Sequence, residues 1–222
     1  MTSLPLSSKK VAVVIESQYI PGEIRIYRER FASYGASVEL VSRLWGAPSQ
    51  TFFSTVEIGG DGNPTPLEMI TVAVDLEAVD PDEYAAVVVA ANYPSVRLRW
   101  IGDVDITADN AADLVRNAPA PRFVRRAMEN HDVIKGMPCH ALWLLTPSPD
   151  VLAGRRVTCN QVVLADVLNA GAVYTPFPPG TPVEQQIVTD GDLVTSTSWH
   201  ASDALVDRIR DLILEVPPRR DG

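Results

Sequence analysis

The sequence of 222 residues has few cysteines, an excess of acidic over basic residues and no long apolar run. With only two cysteines, the composition supports a cytoplasmic location. Lys and Arg total 19 against 28 Asp and Glu, and a net charge of −9 argues against a nucleic-acid partner. No apolar run approaches the roughly 18 residues of a membrane span. The first ten residues lack the apolar stretch of a secretory signal.

The remaining composition, 46% hydrophobic and 21% charged residues, is that of a globular protein. Short segments rich in Val and Ile predict buried strands at 11–15, 37–41, 70–74, 85–90 and 132–137. The run Val87-Val88-Val89 is typical of a parallel strand covered on both faces. Helices are predicted at 23–34 and 121–130, directly after Cys139, and at 161–169 and 202–215, with a short strand at 156–158.

This alternation predicts an α/β protein, a three-layer α/β/α sandwich around a mainly parallel, doubly wound (flavodoxin-like) sheet. We expect a single domain over residues 1–222 with a short polar C-terminal tail. Two long connecting segments are not needed for this architecture. They lie at 45–66 and at 100–119, and the second contains a predicted short helix at 111–116. Long connections of this kind are either lids over a site or solvated decoration, and both readings stay open.

Cys139 lies where a predicted strand meets a predicted apolar helix, which is the form of a nucleophile elbow. Such a turn holds the side chain at the carboxyl edge of the sheet, above the positive end of the helix, which stabilises a thiolate. The next backbone N–H then faces the place where an oxyanion forms. The alternative is a buried structural cysteine, because free cysteine is among the most buried residue types.

Around this elbow the sequence resembles the ThiJ/PfpI superfamily, which includes the parkinsonism-associated deglycase and the intracellular protease I type. The similar segments fall in order over about three quarters of the chain: Cys139-His140 with Leu144-Leu145, then 154–158, 166–171 and 190–196. The resemblance implies a class I glutamine-amidotransferase-like fold. It also implies a homodimer or a larger homo-oligomer.

The resemblance places Glu23 where the family keeps a carboxylate beside the nucleophile. Burial and a neighbouring thiolate both raise the pKa of such a carboxyl, and the protonated form then acts as general acid and base. From spacing alone, a Glu in the first helical turn is explained by the helix dipole. His140, adjacent to the nucleophile, is the third candidate catalytic residue, as a base or an orienting group.

Six further residues are candidates for substrate binding around the elbow. In the loop after the 85–90 strand the family has Pro-Gly-Gly, whereas this sequence has Ala90-Ala91-Asn92, so the pocket differs in shape. The run Arg97-Leu98-Arg99, which follows a Tyr-Pro-Ser segment, resembles the Pro-Asp-x-Leu-Arg run of the family. The guanidinium of one of these two arginines suits a substrate carboxylate, and the alternative is a surface ion pair. The substrate-binding candidates are Ala91, Asn92, Glu16, Arg97, Trp199 and His200. Another departure is Asn160, where the deglycase branch has a histidine.

The sequence and the resemblance together predict a cysteine-dependent enzyme that hydrolyses or hydrates a small electrophile: an amide, a nitrile or isonitrile, or an α-oxoaldehyde. The alternative is a redox-sensing or chaperone-like protein that uses oxidation of Cys139. An inactive scaffold is a third reading. We expect no metal, because no Cys/His spacing fits zinc, and no cofactor, because the loop 16–23 is not a glycine-rich phosphate loop.

Overall fold

The computed structural model describes residues 4–58 and 62–216. The strands are β1 (Lys10–Val14), β2 (Ser37–Val41), β3 (Gln50–Phe53), β4 (Met69–Val72), β5 (Ala86–Val89), β6 (Ile134–Pro138), β7 (Arg156–Val157), β8 (Val173–Tyr174), β9 (Ile187–Asp190) and β10 (Leu193–Ser196). The α-helices are α1 (Pro21–Ser33), α2 (Pro94–Arg97), α3 (Ala111–Asn117), α4 (Pro119–Glu129), α5 (Pro149–Leu152), α6 (Gln161–Asn169) and α7 (Ser202–Glu215). Short 3-10 helices lie at Pro81–Glu83, Ala141–Leu144, Val183–Gln185 and Trp199–Ala201.

The central sheet has six strands in the order β2-β1-β5-β6-β10-β9. All neighbours are parallel except β10 and β9, which form an antiparallel hairpin at one edge. From β1 the chain passes first to β2 and later to β5, on the opposite side of β1. The sheet therefore has its topological switch point between β1 and β5, where ligands bind in folds of this type.

Helices cover both faces of the sheet, which confirms the three-layer α/β/α architecture predicted from the strand and helix alternation. Val11 and Val13 belong to the apolar cluster that holds the inner faces of α1 and α7. Ala12 and Val14, which point the other way, belong to the cluster that holds α4 and α6. Because both faces are apolar, the strands read as continuous apolar runs. In the described part of the chain no helix combines the length and the apolar character needed to cross a bilayer.

Two predicted strands lie outside the central sheet, so their predicted place was wrong. The segment predicted at 70–74 forms β4, which pairs antiparallel with β3 in a separate two-stranded sheet. The exposure of its side chains alternates, with Met69 70% exposed and Val72 buried, as in a two-stranded sheet with one face toward solvent. The strand predicted at 156–158 forms β7, which pairs with β8 in another two-stranded sheet.

Parts of the two long segments lie near the loop that follows β1 at the carboxyl edge of the sheet. The first includes β3, and a backbone bridge between Tyr19 and Ser54 joins it to the loop after β1. The second runs through an irregular stretch into α3, close to the predicted helix. The glycine-rich turn cluster expected at 59–64 lies partly outside the described residues, and the polar tail at 217–222 lies wholly outside them.

Gly136, in the middle of β6, lies close against α7. A Cβ there would lie 2.8 Å from Ile209 Cδ1 and 3.2 Å from both Cγ atoms of Val88. We expect Gly136→Ala to lower the free energy of unfolding by about 1–3 kcal/mol through overpacking, measured by urea denaturation. Adding Ile209→Val removes the nearest atom, so the double variant should lose less than the two single variants combined. Strict additivity would contradict this packing.

Candidate active site

The candidate site lies at the carboxyl edge of the sheet, beside the switch point. Three strands deliver it: β1 leads to Glu16, β5 leads to Ala91 and Asn92, and β6 leads directly to Cys139. The carboxyl ends of parallel strands meet at one edge, so residues far apart in sequence converge there. This is where the sequence placed the nucleophile elbow.

Cys139 adopts a left-handed backbone conformation, with φ of 55°. This conformation costs a non-glycine residue about 1–2 kcal/mol and is held here from both sides. The Cys139 N–H donates to the Ser196 carbonyl at 2.8 Å, and the Cys139 carbonyl accepts from the Asn160 N–H at 3.1 Å. The side chain therefore stands on a strained, well-anchored turn that follows β6.

The element after Cys139 is a short 3-10 helix, Ala141–Leu144, and not the α-helix that the apolar run predicted. A four-residue helix has little dipole to stabilise a thiolate. Cys139 is only 8% exposed and packs against Ile20, Ala91 and Trp199. Burial, followed by the negative charge of Glu23, raises the pKa of the Cys139 thiol to about 11. The prediction of a thiolate stabilised by the following helix is therefore wrong for the resting protein.

Three hydrogen-bond donors act in the opposite direction on the sulfur. The backbone N–H groups of Asn92 and His140 and the side chain of Asn160 lower the pKa of the Cys139 thiol. Each favours the charged form without adding a net charge of its own. We call these three donors the polar cradle of the sulfur.

Glu23 is completely buried in the first turn of α1. The Tyr27 hydroxyl donates to its Oε1 at 2.7 Å, and the Ala91 N–H donates to both carboxyl oxygens at 3.0 Å. Burial raises the pKa of Glu23 to about 7, although both of these hydrogen bonds lower it. The raised pKa expected for this carboxyl is confirmed. Because the Ala91 N–H donates to Glu23, the backbone N–H groups that act on the sulfur are those of Asn92 and His140.

The His140 ring turns toward the loop after β5. Its Nδ1 lies 3.1 Å from the Asn92 carbonyl oxygen, which only accepts, so Nδ1 carries the proton in this contact. The ring packs against Trp143 with centroids 5.4 Å apart, and burial lowers the pKa of the imidazole. His140 is therefore neutral at neutral pH and orients Asn92.

Of the other predicted residues, one contacts the apolar cluster of Cys139 and the rest lie farther out. Trp199 contacts the apolar cluster of Cys139, whereas His200 is exposed and its Nδ1 lies 2.9 Å from Ser198 Oγ. Arg97 and Glu16 line a neighbouring cavity. The structure thus brings Trp199 to the sulfur and leaves His200 at the rim.

Two residues of the site were not among the predicted ones. Asn160 caps α6, with Oδ1 accepting from the Val162 N–H at 3.0 Å, and its side chain also reaches Cys139 and His140. Tyr27 lies one helical turn after Glu23, and this i,i+4 spacing is the signal that would have identified it. Over residues 4–58 and 62–216 no cluster of three or more His, Cys, Asp or Glu side chains is arranged to hold a metal ion.

The raised pKa of Cys139 predicts slow alkylation at neutral pH. The rate with iodoacetamide, followed on the Cys139 peptide by mass spectrometry, should still be rising at pH 10, because only the thiolate reacts. Glu23→Gln removes a neighbouring negative charge, so we expect its rate profile to shift to lower pH. The Cys159 peptide is the internal control, since burial raises the pKa of that thiol to about 12. A wild-type rate that levels off below about pH 8.5 would contradict the assignment.

Comparison with known proteins agrees with this geometry. The model of the DJ-1/PfpI family matches residues 108–211, which include the cysteine turn and α6. The protein named Protein/nucleic acid deglycase 2 from Escherichia coli (strain K12) is 28% identical over 193 residues, covering 85% of this chain and 88% of that protein.

Solved structures show the same fold. A two-domain protein with DJ-1/ThiJ/PfpI-like and ferritin-like domains from Anabaena variabilis has a TM-score of 0.64 at 22% identity, covering 97% of this chain. The chain spans about half of that protein, 52% of its length. Drosophila melanogaster DJ-1beta has a TM-score of 0.60 at 16% identity, with 94% of this chain and 95% of that chain covered.

Proposed function

Because the chain belongs to the ThiJ/PfpI superfamily, we propose that it is an enzyme whose Cys139 attacks a small-molecule electrophile, with Glu23 as general acid and base. The observation that carries the proposal is the pairing of two groups: a buried carboxyl whose pKa is about 7 and a cysteine on a left-handed turn beside it. A carboxyl that titrates near neutrality is suited to move protons in both directions. The reaction is hydrolysis or hydration.

In the first step the Glu23 carboxylate takes the proton of the Cys139 thiol as the sulfur attacks the electrophilic carbon. The high pKa of the resting thiol makes this coupled transfer necessary, because little free thiolate exists at neutral pH. The carbon–sulfur bond forms while negative charge moves to the substrate oxygen or nitrogen. The N–H groups of Asn92 and His140, which face the sulfur, are the nearest donors for that charge.

In the second step protonated Glu23 returns its proton to the substrate. With an amide, the proton goes to the departing amine as the carbon–nitrogen bond breaks, leaving a thioester on Cys139. With a nitrile, it completes the addition across the carbon–nitrogen triple bond. With an isonitrile, the proton goes to the same carbon that forms the bond to sulfur, which is where the negative charge develops in that case. Water then attacks the thioester or its equivalent, with Glu23 taking a proton from water, and the thiol is regenerated.

A substrate panel tests the proposal. Methylglyoxal, simple amides, nitriles and isonitriles are assayed with wild type, Cys139→Ala and the control Cys159→Ala. A glycated peptide joins the panel because the E. coli relative is named a deglycase. We expect wild type and Cys159→Ala to turn over many equivalents of one class and Cys139→Ala to turn over none. Turnover that survives Cys139→Ala would reject the covalent mechanism, and loss of reactivity after a single oxidation would favour the redox-sensing alternative.

A further inference from the structure

A cavity of about 320 Å³ opens beside the cysteine site, and both long segments contribute a tryptophan to it. Trp45 is 48% exposed and Trp100 is 59% exposed, which is unusual for side chains of this size. The volume lies in the range of ligand-binding pockets. We call it the tryptophan cavity; it is lined by Glu16, Trp45, Arg97, Trp100, Gly102 and Asp103.

The two tryptophans are held in place by one arginine. The Arg43 guanidinium stacks on the Trp45 ring at 3.4 Å from its centroid. The same group donates to the Trp100 carbonyl at 2.8 Å. Arg43 therefore ties the two long segments together, so the apolar wall is formed before any ligand arrives.

The tryptophan cavity is connected to Cys139 through two polar residues. Arg97 Nε donates to Gln18 Oε1 at 3.2 Å, and Asn92 Nδ2 donates to the Gln18 carbonyl at 3.0 Å. The backbone N–H of the same Asn92 acts on the Cys139 sulfur. Gln18 therefore links Arg97, which lines the cavity, to Asn92, which belongs to the polar cradle of the Cys139 sulfur.

Arg97 is the positively charged group of the cavity lining. Its guanidinium lies over the Phe53 ring, 5.4 Å from the centroid, while Nε is bound by Gln18. Within residues 4–58 and 62–216 it forms no ion pair with an acidic side chain of the protein. An oriented guanidinium with its terminal nitrogens available matches a carboxylate in a two-point contact.

The two acidic residues of the cavity limit the charge it accepts. Glu16 Oε1 accepts from the Ser17 N–H at 2.6 Å, and burial raises the pKa of the Glu16 carboxyl, although the Ser17 hydrogen bonds and the charge of Arg97 act in the opposite direction. Asp103 is exposed to solvent, where water and salt screen its charge. Because the lining already holds two carboxyl groups beside the one guanidinium, a ligand with a single carboxylate meets less repulsion than a dianion does.

We propose that the tryptophan cavity binds an aromatic carboxylate, with the ring against Trp45 and Trp100 and the carboxylate on Arg97. This names the substrate class for the proposed function and rests on that function for the reaction, but not for the binding. The substrate carries its electrophilic carbon on the side of the ring that faces Cys139.

Calorimetric titration of the full-length Cys139→Ala protein tests the binding without turnover. The probes are phenylacetate, uncharged phenylacetamide and cationic phenethylamine. We expect phenylacetate to bind at least about tenfold more tightly than either of the others, equivalent to about 1.4 kcal/mol. Arg97→Gln in the same background should remove that preference, and Trp100→Leu should weaken phenylacetate and phenylacetamide alike. Arg99→Gln, which changes a nearby arginine outside the cavity, is the matched control and should leave the preference intact.

Absence of binding, a preference for phenethylamine, or an equal loss in Arg97→Gln and Arg99→Gln would each overturn the inference. Alkylation of Cys139 by iodoacetamide in wild type is measured in parallel. If a substrate of the panel is turned over in a Cys139-dependent way but phenylacetate shows no preference for the cavity, only this inference fails. If phenylacetate binds as expected while no substrate of the panel is turned over, the cavity assignment stands and the proposed enzymatic function fails.

Discussion

Replacing Cys139 by alanine is expected to lower turnover by at least about 10³-fold, because no other group in the site can form the covalent bond to the substrate. The only other cysteine, Cys159, belongs to a different apolar cluster and is itself buried. Cys159→Ala should therefore keep turnover within a few-fold of wild type. Initial rates at saturating substrate give the comparison, and a Cys139→Ala protein with more than a tenth of wild-type turnover would refute the assignment.

The same position also has an expected effect on stability. With φ of 55°, an alanine at 139 keeps the left-handed strain, whereas a glycine does not suffer it. We expect Cys139→Gly to unfold with a free energy about 1 kcal/mol higher than Cys139→Ala, in the same urea titration. Both variants should be equally inactive, which separates the strain from the chemistry.

Replacing Glu23 by glutamine is expected to lower turnover by about 10²–10⁴-fold and, above pH 7, to stabilise the protein. The activity falls because the amide can neither take the thiol proton nor return it. The stability rises because the buried carboxyl is ionised there without an opposite charge among its hydrogen-bond partners. Glutamine keeps the shape and can still accept from Tyr27 and Ala91.

The sign of the pH effect follows from the pKa of Glu23, which rises from 4.5 to about 7 on folding. A group with a raised pKa favours the folded state most at low pH, and that contribution is lost as pH rises through 7. The shift corresponds to about 3 kcal/mol for this fully buried group. Urea unfolding at pH 5 and pH 8 should therefore show wild type losing more stability than Glu23→Gln, with other titrating groups cancelling in the difference.

Tyr27→Phe is the matched control for this second result. It removes a hydrogen bond that lowers the pKa of Glu23, so its pH dependence should be steeper than that of wild type and not flatter. Wild type and Glu23→Gln with the same activity would remove the carboxyl from its assigned role. Parallel pH dependences of their unfolding would show that Glu23 does not titrate in the folded protein.

The sheet and the elbow were predictable because they are encoded locally. The apolar run ending at Val89 and the strand ending before Cys139 fix two points on one sheet edge. The place of Glu23 at the site came from the family resemblance, because local spacing alone explains it by the helix dipole. The segment that forms β4 was predicted to be a buried core strand because its alternating sequence is also apolar enough to resemble one. Only pairing with β3, a long-range fact, distinguishes the two.

The electrostatics of the site were less accessible to sequence reasoning. The Ala91 N–H bonds to a carboxyl 68 positions earlier in the chain, and no local pattern shows that contact. The state of the thiol likewise depends on what buries it, namely Ile20, Ala91 and Trp199, which come from three separate segments. Residue types in the sequence indicated which side chains belong to the site. The backbone path determines that the Ala91 N–H binds Glu23 and that the Asn92 N–H acts on Cys139.

The high pKa of the Cys139 thiol also bears on the chemical durability of the protein. At pH 7 a thiol whose pKa is about 11 is ionised in only about one molecule in 10⁴. Dissolved oxygen, peroxides and adventitious alkylating metabolites react with the thiolate, so their reaction with Cys139 between turnovers should be slow. The purified protein should therefore keep its free thiol through prolonged storage without added reductant.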